Sequence, residues 1–170
     1  MKRIALLLCI AMMGCAAVDV GPDPRDEFSD RNVGKTLATY VDGMGTQVVH
    51  MADGGQLYLF SGASPDVQRG DWKFDILATG AATTYQGAGG INVPVEELET
   101  AWGVCFRYKD AAGNIVRRPA GGDWNCALLS DYEPLITERL EGDVFGLARG
   151  QAPGEMPQGA RVTLAQLQRL

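Results

Sequence analysis

The residues best equipped for chemistry are few and scattered. His50 is the only histidine in the chain. As a general base it would need a paired nucleophile, and no Gly-x-Ser-x-Gly elbow exists; Phe60-Ser-Gly-Ala-Ser64 does not fit that pattern. His50 is therefore read as a histidine on the surface of a sheet. A zinc site needs several Cys, His or acidic ligands at suitable spacing, and none is visible, so no metal is expected. Glu96, Glu97 and Glu99, with Glu138, Glu141 and Asp143, supply enough carboxylates for glycosidic acid/base chemistry. Nothing in their spacing brings two of them within reach, and the default reading is a solvated face. Gly87-Ala-Gly-Gly90 lacks the strand–turn–helix context and the lysine of a phosphate loop. No catalytic residue and no cofactor is assigned, and the chain is read as non-enzymatic.

The aromatics offer a binding idea instead. Tyr58, Trp72, Tyr108 and Trp124 could line the mouth of a β-barrel, with Arg117 and Arg118 at its rim. Barrel mouths are common ligand sites. The competing reading is that these rings are core.

Composition limits the alternatives. With 170 residues, of which 46% are hydrophobic and 21% charged, the chain has the balance of one globular domain rather than of a disordered or coiled-coil protein. A net charge of −6 argues against nucleic acid as a partner, because phosphate binding needs a concentrated basic surface.

The N-terminus carries an address. Met1-Lys-Arg3 is followed by ten apolar residues, Ile4 to Met13, and then Gly14-Cys15. A basic tip, a short apolar run and a small residue before a cleavage point form a secretory signal. The run is too short for a transmembrane helix, which needs roughly 20 residues. Met12-Met13-Gly14-Cys15 resembles the lipobox of bacterial lipoprotein precursors. The resemblance covers about the first 20 residues. It implies cleavage before Cys15, which would become the first mature residue and carry acyl chains such as palmitate. Ala16 follows, where Asp tends to retain Gram-negative members of that family at the inner membrane. For a Gram-negative source the resemblance thus implies a lipid anchor in the outer membrane, facing the periplasm. Two or more acyl chains anchor stably, since each buried methylene contributes about 0.8 kcal/mol. Loss of Lys2 and Arg3 would lower the basic count from 15 to 13 against 21 acids, a mature charge of −8. Anionic membrane surfaces repel such a body, so the membrane contact would be the lipid rather than electrostatics.

The remaining cysteines follow from that compartment. Cys9 would leave with the signal and Cys15 would be acylated. Cys105 and Cys126 then remain, and two Cys in one small domain of an oxidising compartment usually pair. No Cys-x-x-Cys suggests a redox role. Strict alternation groups Cys105 with Arg107 and Lys109, but Cys126 with Trp124 and Leu128. One thiol would then face out and the other in, so the pairing calls for a bulge at Gly103 or a break at Pro119-Ala-Gly-Gly122.

Residues 15–32 read as a lipidated N-terminus and flexible tether, being rich in Pro and acids. Residues 33–170 read as one β-rich domain. Thr36–Val41, Thr46–Met51, Gln56–Phe60, Trp72–Ile76, Val104–Lys109 and Trp124–Leu129 carry the β-branched, aromatic or alternating pattern of strands. Ala82–Tyr85 and Ile115–Arg118 are further strand candidates. Ala52-Asp-Gly-Gly55 is a hairpin turn. Val95, Leu98 and Trp102 fall on one helical face and predict a short helix over 94–101. Ile136–Leu140 and Val144–Ala148 predict a last hairpin, Gly150–Gly159 a loop, and Arg161–Leu164 a closing strand before a helical end. Gly70-Asp-Trp72 recurs as Gly122-Asp-Trp124, each placed at a strand entry, and Arg69-Gly-Asp71 is read as a turn. Thirteen aromatics, eleven of them between Tyr40 and Tyr132, centre the core there. The fold class is all-β, mainly antiparallel: a small, partly open barrel, or a sandwich, with one short helix. From about Lys35 to Ala148 the body is similar to small exported bacterial β-domains, many without an assigned function, through a Gly-x-Trp strand followed by two Cys.

The functional expectation is a non-enzymatic outer-membrane lipoprotein whose β-domain binds an envelope partner. The alternatives are a lipocalin-like carrier of a small apolar ligand and, from another class, a hydrolase using the acids named above. The oligomeric state is not read from the sequence.

Overall fold

Apolar residues at alternate positions, broken by glycine-rich turns, make the first three strands. These are β1 (Lys35–Val41), β2 (Gly45–Ala52) and β3 (Gln56–Ser61). The computed structural model describes residues 21–79, 85–86, 92–93, 99–110, 112–116 and 123–169. The turn between β2 and β3 falls on Asp53–Gly55, where Gly54 and Gly55 take the positive φ that side chains disfavour. β4 (Ser64–Ala78) is 15 residues long, three times the segment Trp72–Ile76 that alternation marks out. A two-residue pair follows, β5 (Tyr85–Gln86) with β6 (Asn92–Val93). Then come β7 (Thr100–Lys109), β8 (Asn125–Leu128) and β9 (Ile136–Glu141).

Seven of these strands form one curled, half-barrel antiparallel sheet in the order β8-β7-β4-β3-β2-β1-β9. The expected class therefore holds. The curl has local causes. Pairing slips between Leu59 and Ser61 on β3 and between Ala38 and Thr39 on β1, and such irregularities bend a sheet. On β4, a Cβ at Gly70 would lie 2.4 Å from the Arg107 carbonyl oxygen, so this crossing point admits only glycine.

Each face is covered by a different end of the chain. On the inner face, Leu37, Val49, Met51, Leu57, Leu59, Val104 and Phe106 form the main core. Helix α1 (Pro24–Asn32) closes it with Phe28, and the short helix α2 (Leu129–Tyr132) adds Leu129 and Tyr132. On the outer face, Ala38, Val48 and Phe60 pack under Leu147, Met156, Leu164 and Leu167 of the C-terminal segment. That segment is irregular except for a 3-10 turn at Leu147–Arg149 and helix α3 (Leu164–Leu167), which a Thr163–Gln166 capping box starts.

Several expectations are corrected. The tether reaches no further than Asp23, because Pro24–Asn32 is a docked helix with Phe28 only 2% exposed. Asp23 caps it and Pro24 opens it. Asn32, fully buried, donates to the Phe28 carbonyl and to Glu133 and accepts from Arg139. The helix expected over 94–101 fails at its C-terminal end, since Thr100, Ala101 and Trp102 belong to β7; residues 94–98 lie outside the described ones. Val144–Ala148 and Arg161–Thr163 form no strand: their apolar side chains reach the sheet as a cover rather than by pairing. Arg69-Gly-Asp71 is no turn, and Gly70-Asp-Trp72 no strand entry, because both run through the middle of β4 opposite Arg107, Tyr108 and Lys109. Ile115 forms only an isolated bridge with Lys109.

Candidate functional site

The C-terminal cover packs on apolar residues of β9, β1, β2 and β3 and on Val67 of β4. Beyond it the outer face of β4, β7 and β8 carries charged and aromatic side chains. Register sets their order. Gln56, Asp71 and Arg107 stand opposite one another on β3, β4 and β7, and Tyr58, Arg69 and Lys109 form the next row. Lys73, Cys105 and Cys126 form the row on the other side.

Asp71 is the centre of this surface. Arg107 donates to its Oδ2 from Nε at 3.0 Å and from Nη2 at 2.6 Å, and Lys109 Nζ donates to its Oδ1 at 2.8 Å. Partial burial raises the Asp71 carboxyl, but the hydrogen bonds from Lys109 and Arg107 outweigh it and hold the group below the usual carboxylate range. The Trp124 ring lies against the same cluster, with the Arg107 guanidinium 4.6 Å and the Lys73 ammonium 5.0 Å from its centroid. Lys73 also pairs with Asp75.

Cys105 and Cys126 are joined in a disulfide between directly opposed residues of β7 and β8. The β7–β8 register runs unbroken from Gly103 to Phe106, so neither a bulge at Gly103 nor a break before β8 is needed. The expected conflict arose from placing Trp124 in the core. It sits on the charged outer face beside Arg107, and Cys126 therefore faces the same way as Cys105.

The six aromatic and basic residues expected at one mouth do not converge. Tyr58 and Trp124 are on the outer face. Trp72 and Tyr108 pack on the inner core, where the Trp72 indole donates to the Ala52 carbonyl at 3.1 Å. Arg117 and Arg118 lie outside the described residues. Sequence reasoning did not single out Arg69, Asp71, Arg107 and Lys109 as a group, although their spacing on two alternating strands was the signal.

Over the two rows runs a groove of about 880 Å³ between the β3–β4 hairpin and the turn after β7, its floor formed by Tyr58, Arg69, Asp71 and Lys109. Tyr58 donates to Gln56 Oε1 at 2.8 Å, and its ring stacks on His50 at 6.2 Å. His50 is on the sheet as expected but buried rather than at the surface, 7% exposed, with Nδ1 3.0 Å from the Lys35 carbonyl oxygen. A carbonyl only accepts, so Nδ1 carries the hydrogen there.

The acids weighed for hydrolysis have structural partners. Glu138 accepts from the Leu164 amide, Glu141 pairs with Lys35, and Asp143 accepts from the Leu147 and Ala148 amides. Glu99 is exposed, and Glu96 and Glu97 lie outside the described residues, as do Gly87–Gly90, the signal, the lipobox and Cys15. Among the described residues no cluster of three His, Cys, Asp or Glu has metal-binding geometry, and no helix is long and apolar enough to cross a membrane. No family model, curated protein or solved structure matches the chain.

Proposed function

We propose that the chain is a bacterial lipoprotein, anchored in the outer membrane by acyl chains on Cys15 and facing the periplasm, whose β-domain binds an envelope partner without catalysing a reaction. The observation that carries the binding role is the half-covered outer face. Apolar residues of the C-terminal segment seal it over β1 to β3, and then give way to Arg69, Asp71, Arg107, Lys109 and Trp124. Aromatic and arginine side chains held by mutual contacts are the residue types that dominate protein interfaces.

Support for the envelope comes from the signal and lipobox pattern of residues 1–15, together with the paired Cys105 and Cys126, which suit an oxidising compartment. The carrier alternative needs a vacant apolar interior. Phe28, Trp72, Phe74, Phe106 and Tyr132 occupy the inner face, in contacting ring pairs with centroids 5.0 to 6.2 Å apart.

Two experiments test the reading. Cys15→Ser is expected to abolish acylation and move the protein out of the membrane fraction; unchanged membrane retention removes the anchor. A photo-crosslinking residue at Gln56, which is exposed on this face in the row of Asp71 and Arg107, is expected to capture a specific envelope component in cells. The same residue at exposed Glu155, on the covered side, is expected to capture none; equal capture from both positions removes the assignment to this face.

A further inference from the structure

We infer that the end of the domain formed by Ile76 of β4 and Trp102 of β7 rests on the membrane that holds the anchor, with both side chains in the lipid headgroup region. The inference goes beyond partner binding and rests on the acyl anchor at Cys15 proposed above.

The linker is the first argument. Helix α1 begins at Pro24, nine residues after Cys15, and such a stretch spans at most about 32 Å when fully extended. The start of the helix is fixed to the sheet. The Arg25 guanidinium stacks on the Trp102 ring, 4.0 Å from its centroid, and also pairs with the capping residue Asp23. The chain that leads to the anchor therefore leaves the domain beside Trp102. Ile76 stands directly opposite Trp102, and Ser64 begins β4 twelve residues earlier, about 40 Å along the strand. The linker is shorter than that distance, so it holds the Ile76 end toward the bilayer and the Ser64 end away from it.

The surface at this end is the second argument. Trp72 and Phe74 carry the core face of β4, and Ile76 comes next on that face. It is 57% exposed, more than any other large hydrophobic residue among those described. Trp102 beside it is half-buried. On the opposite face of the same strands, half-buried Leu77 pairs with exposed Ala101. An indole with one apolar edge open, an arginine laid along it and an exposed isoleucine are residues that seat at a boundary between water and lipid.

Charge names the kind of lipid. Arg25 is balanced by Asp23, Lys73 by Asp75 and Glu27 by Arg31. Asp26 and Glu99 are exposed at this end and form no salt bridge among the described residues. The end is slightly acidic, which disfavours an anionic surface and leaves apolar contact with zwitterionic headgroups. The contact is also small. One isoleucine and part of an indole do not hold a free domain on a bilayer, since even a myristoyl chain binds only marginally. Attached by so short a linker, they need only orient a domain that is already there.

The test uses the mature acylated protein in vesicles of phosphatidylcholine and phosphatidylethanolamine. Intact mass checks acylation of Cys15, and flotation checks attachment. Lipids brominated on the upper acyl chain quench any tryptophan that reaches them. Of the three tryptophans, Trp72 packs on the core and Trp124 stacks on Arg107. The expected result is quenching that Trp102→Phe abolishes and Trp124→Phe leaves in place. Ile76→Asp is expected to reduce it at least twofold with flotation unchanged and, because Ile76 is exposed, with the urea midpoint of the parent. Absence of quenching in acylated, floating protein overturns the inference and leaves the anchor. So does quenching unchanged by Trp102→Phe or by Ile76→Asp. Quenching that grows when phosphatidylglycerol is added also overturns it, by making the contact electrostatic. In cells, a photo-crosslinking residue at Ile76 is expected to give lipid adducts; a protein adduct assigns this end to a protein partner instead. An unacylated Cys15 removes both the anchor and the inference.

Discussion

Cys105 and Cys126 face each other across β7 and β8 with their Cα atoms 4.0 Å apart, one fully buried and the other exposed. The bond ties a four-residue edge strand to the sheet and closes the stretch of chain that carries Lys109 and Asp110 past the groove.

Replacing both cysteines by serine is expected to destabilise the protein by about 3 kcal/mol, the loop-closure value for a crosslink of this span. Cys105→Ser alone is expected to cost more than Cys126→Ser, because only Cys105 puts its hydroxyl into a fully buried site. Urea unfolding of the variants, and of the parent with and without dithiothreitol, measures both differences. A loss below 1 kcal/mol on reduction would show that β8 is held by its register alone.

Asp71→Asn is expected to lower stability by roughly 1–2 kcal/mol at pH 7, since Arg107 and Lys109 lose their shared acceptor while staying about two-thirds buried. The carboxyl is depressed in the folded state. Its contribution is therefore fully present above the unfolded value of about 3.9 and is lost as pH falls through the lower folded one. The gap between parent and variant should thus be constant from pH 7 to pH 5 and shrink below about pH 4. A gap that grows on acidification contradicts this.

Phe28→Ala is expected to cost about 3–5 kcal/mol, the range for a large buried aromatic. Phe28 contacts Phe74 on β4 and Tyr132 on α2, so α1 should lose amide protection together with α2. Hydrogen exchange measures this. Protection unchanged in α2 would mean that α1 adds nothing to the core.

Gly103→Ala is expected to weaken the β7–β8 edge by about 1–3 kcal/mol. A Cβ there would lie 2.2 Å from Leu77 Cδ1 and 2.7 Å from the Ala127 carbonyl oxygen. Leu77 can turn aside; the backbone oxygen of the paired strand cannot. Thermal unfolding with a midpoint equal to that of the parent would refute the estimate.

Most of the sheet is legible in the sequence because alternation is a local property. Thr36–Val41 and Gln56–Phe60 announce β1 and β3, and Asp53-Gly-Gly55 announces the turn before β3. The covers are less legible. Helix α1 buries one aromatic, Phe28, so no apolar stripe marks it, although Asp23, Pro24 and the acids Asp26 and Glu27 are the start signals of a helix. Phe145, Leu147, Met156 and Val162 follow neither a helical nor a strand period, because a largely irregular segment lays them on the sheet, and only Leu164 and Leu167 in α3 keep a helical spacing. The aromatic residues expected together were divided by parity. Trp72 and Trp124 share a Gly-Asp-Trp context, yet one faces the core and the other the charged surface, and only tertiary neighbours decide which.

The pairing of β1 with β9 brings Lys35 beside Glu141, about a hundred residues later. The first long strand to be synthesised thus waits for the last before its outer edge is satisfied, and the outer apolar face waits for Leu164 and Leu167 beyond that. Loop-closure entropy makes such distant contacts slow to form. The sheet and its outer cover therefore close only when β9 and then Leu164 and Leu167 are available.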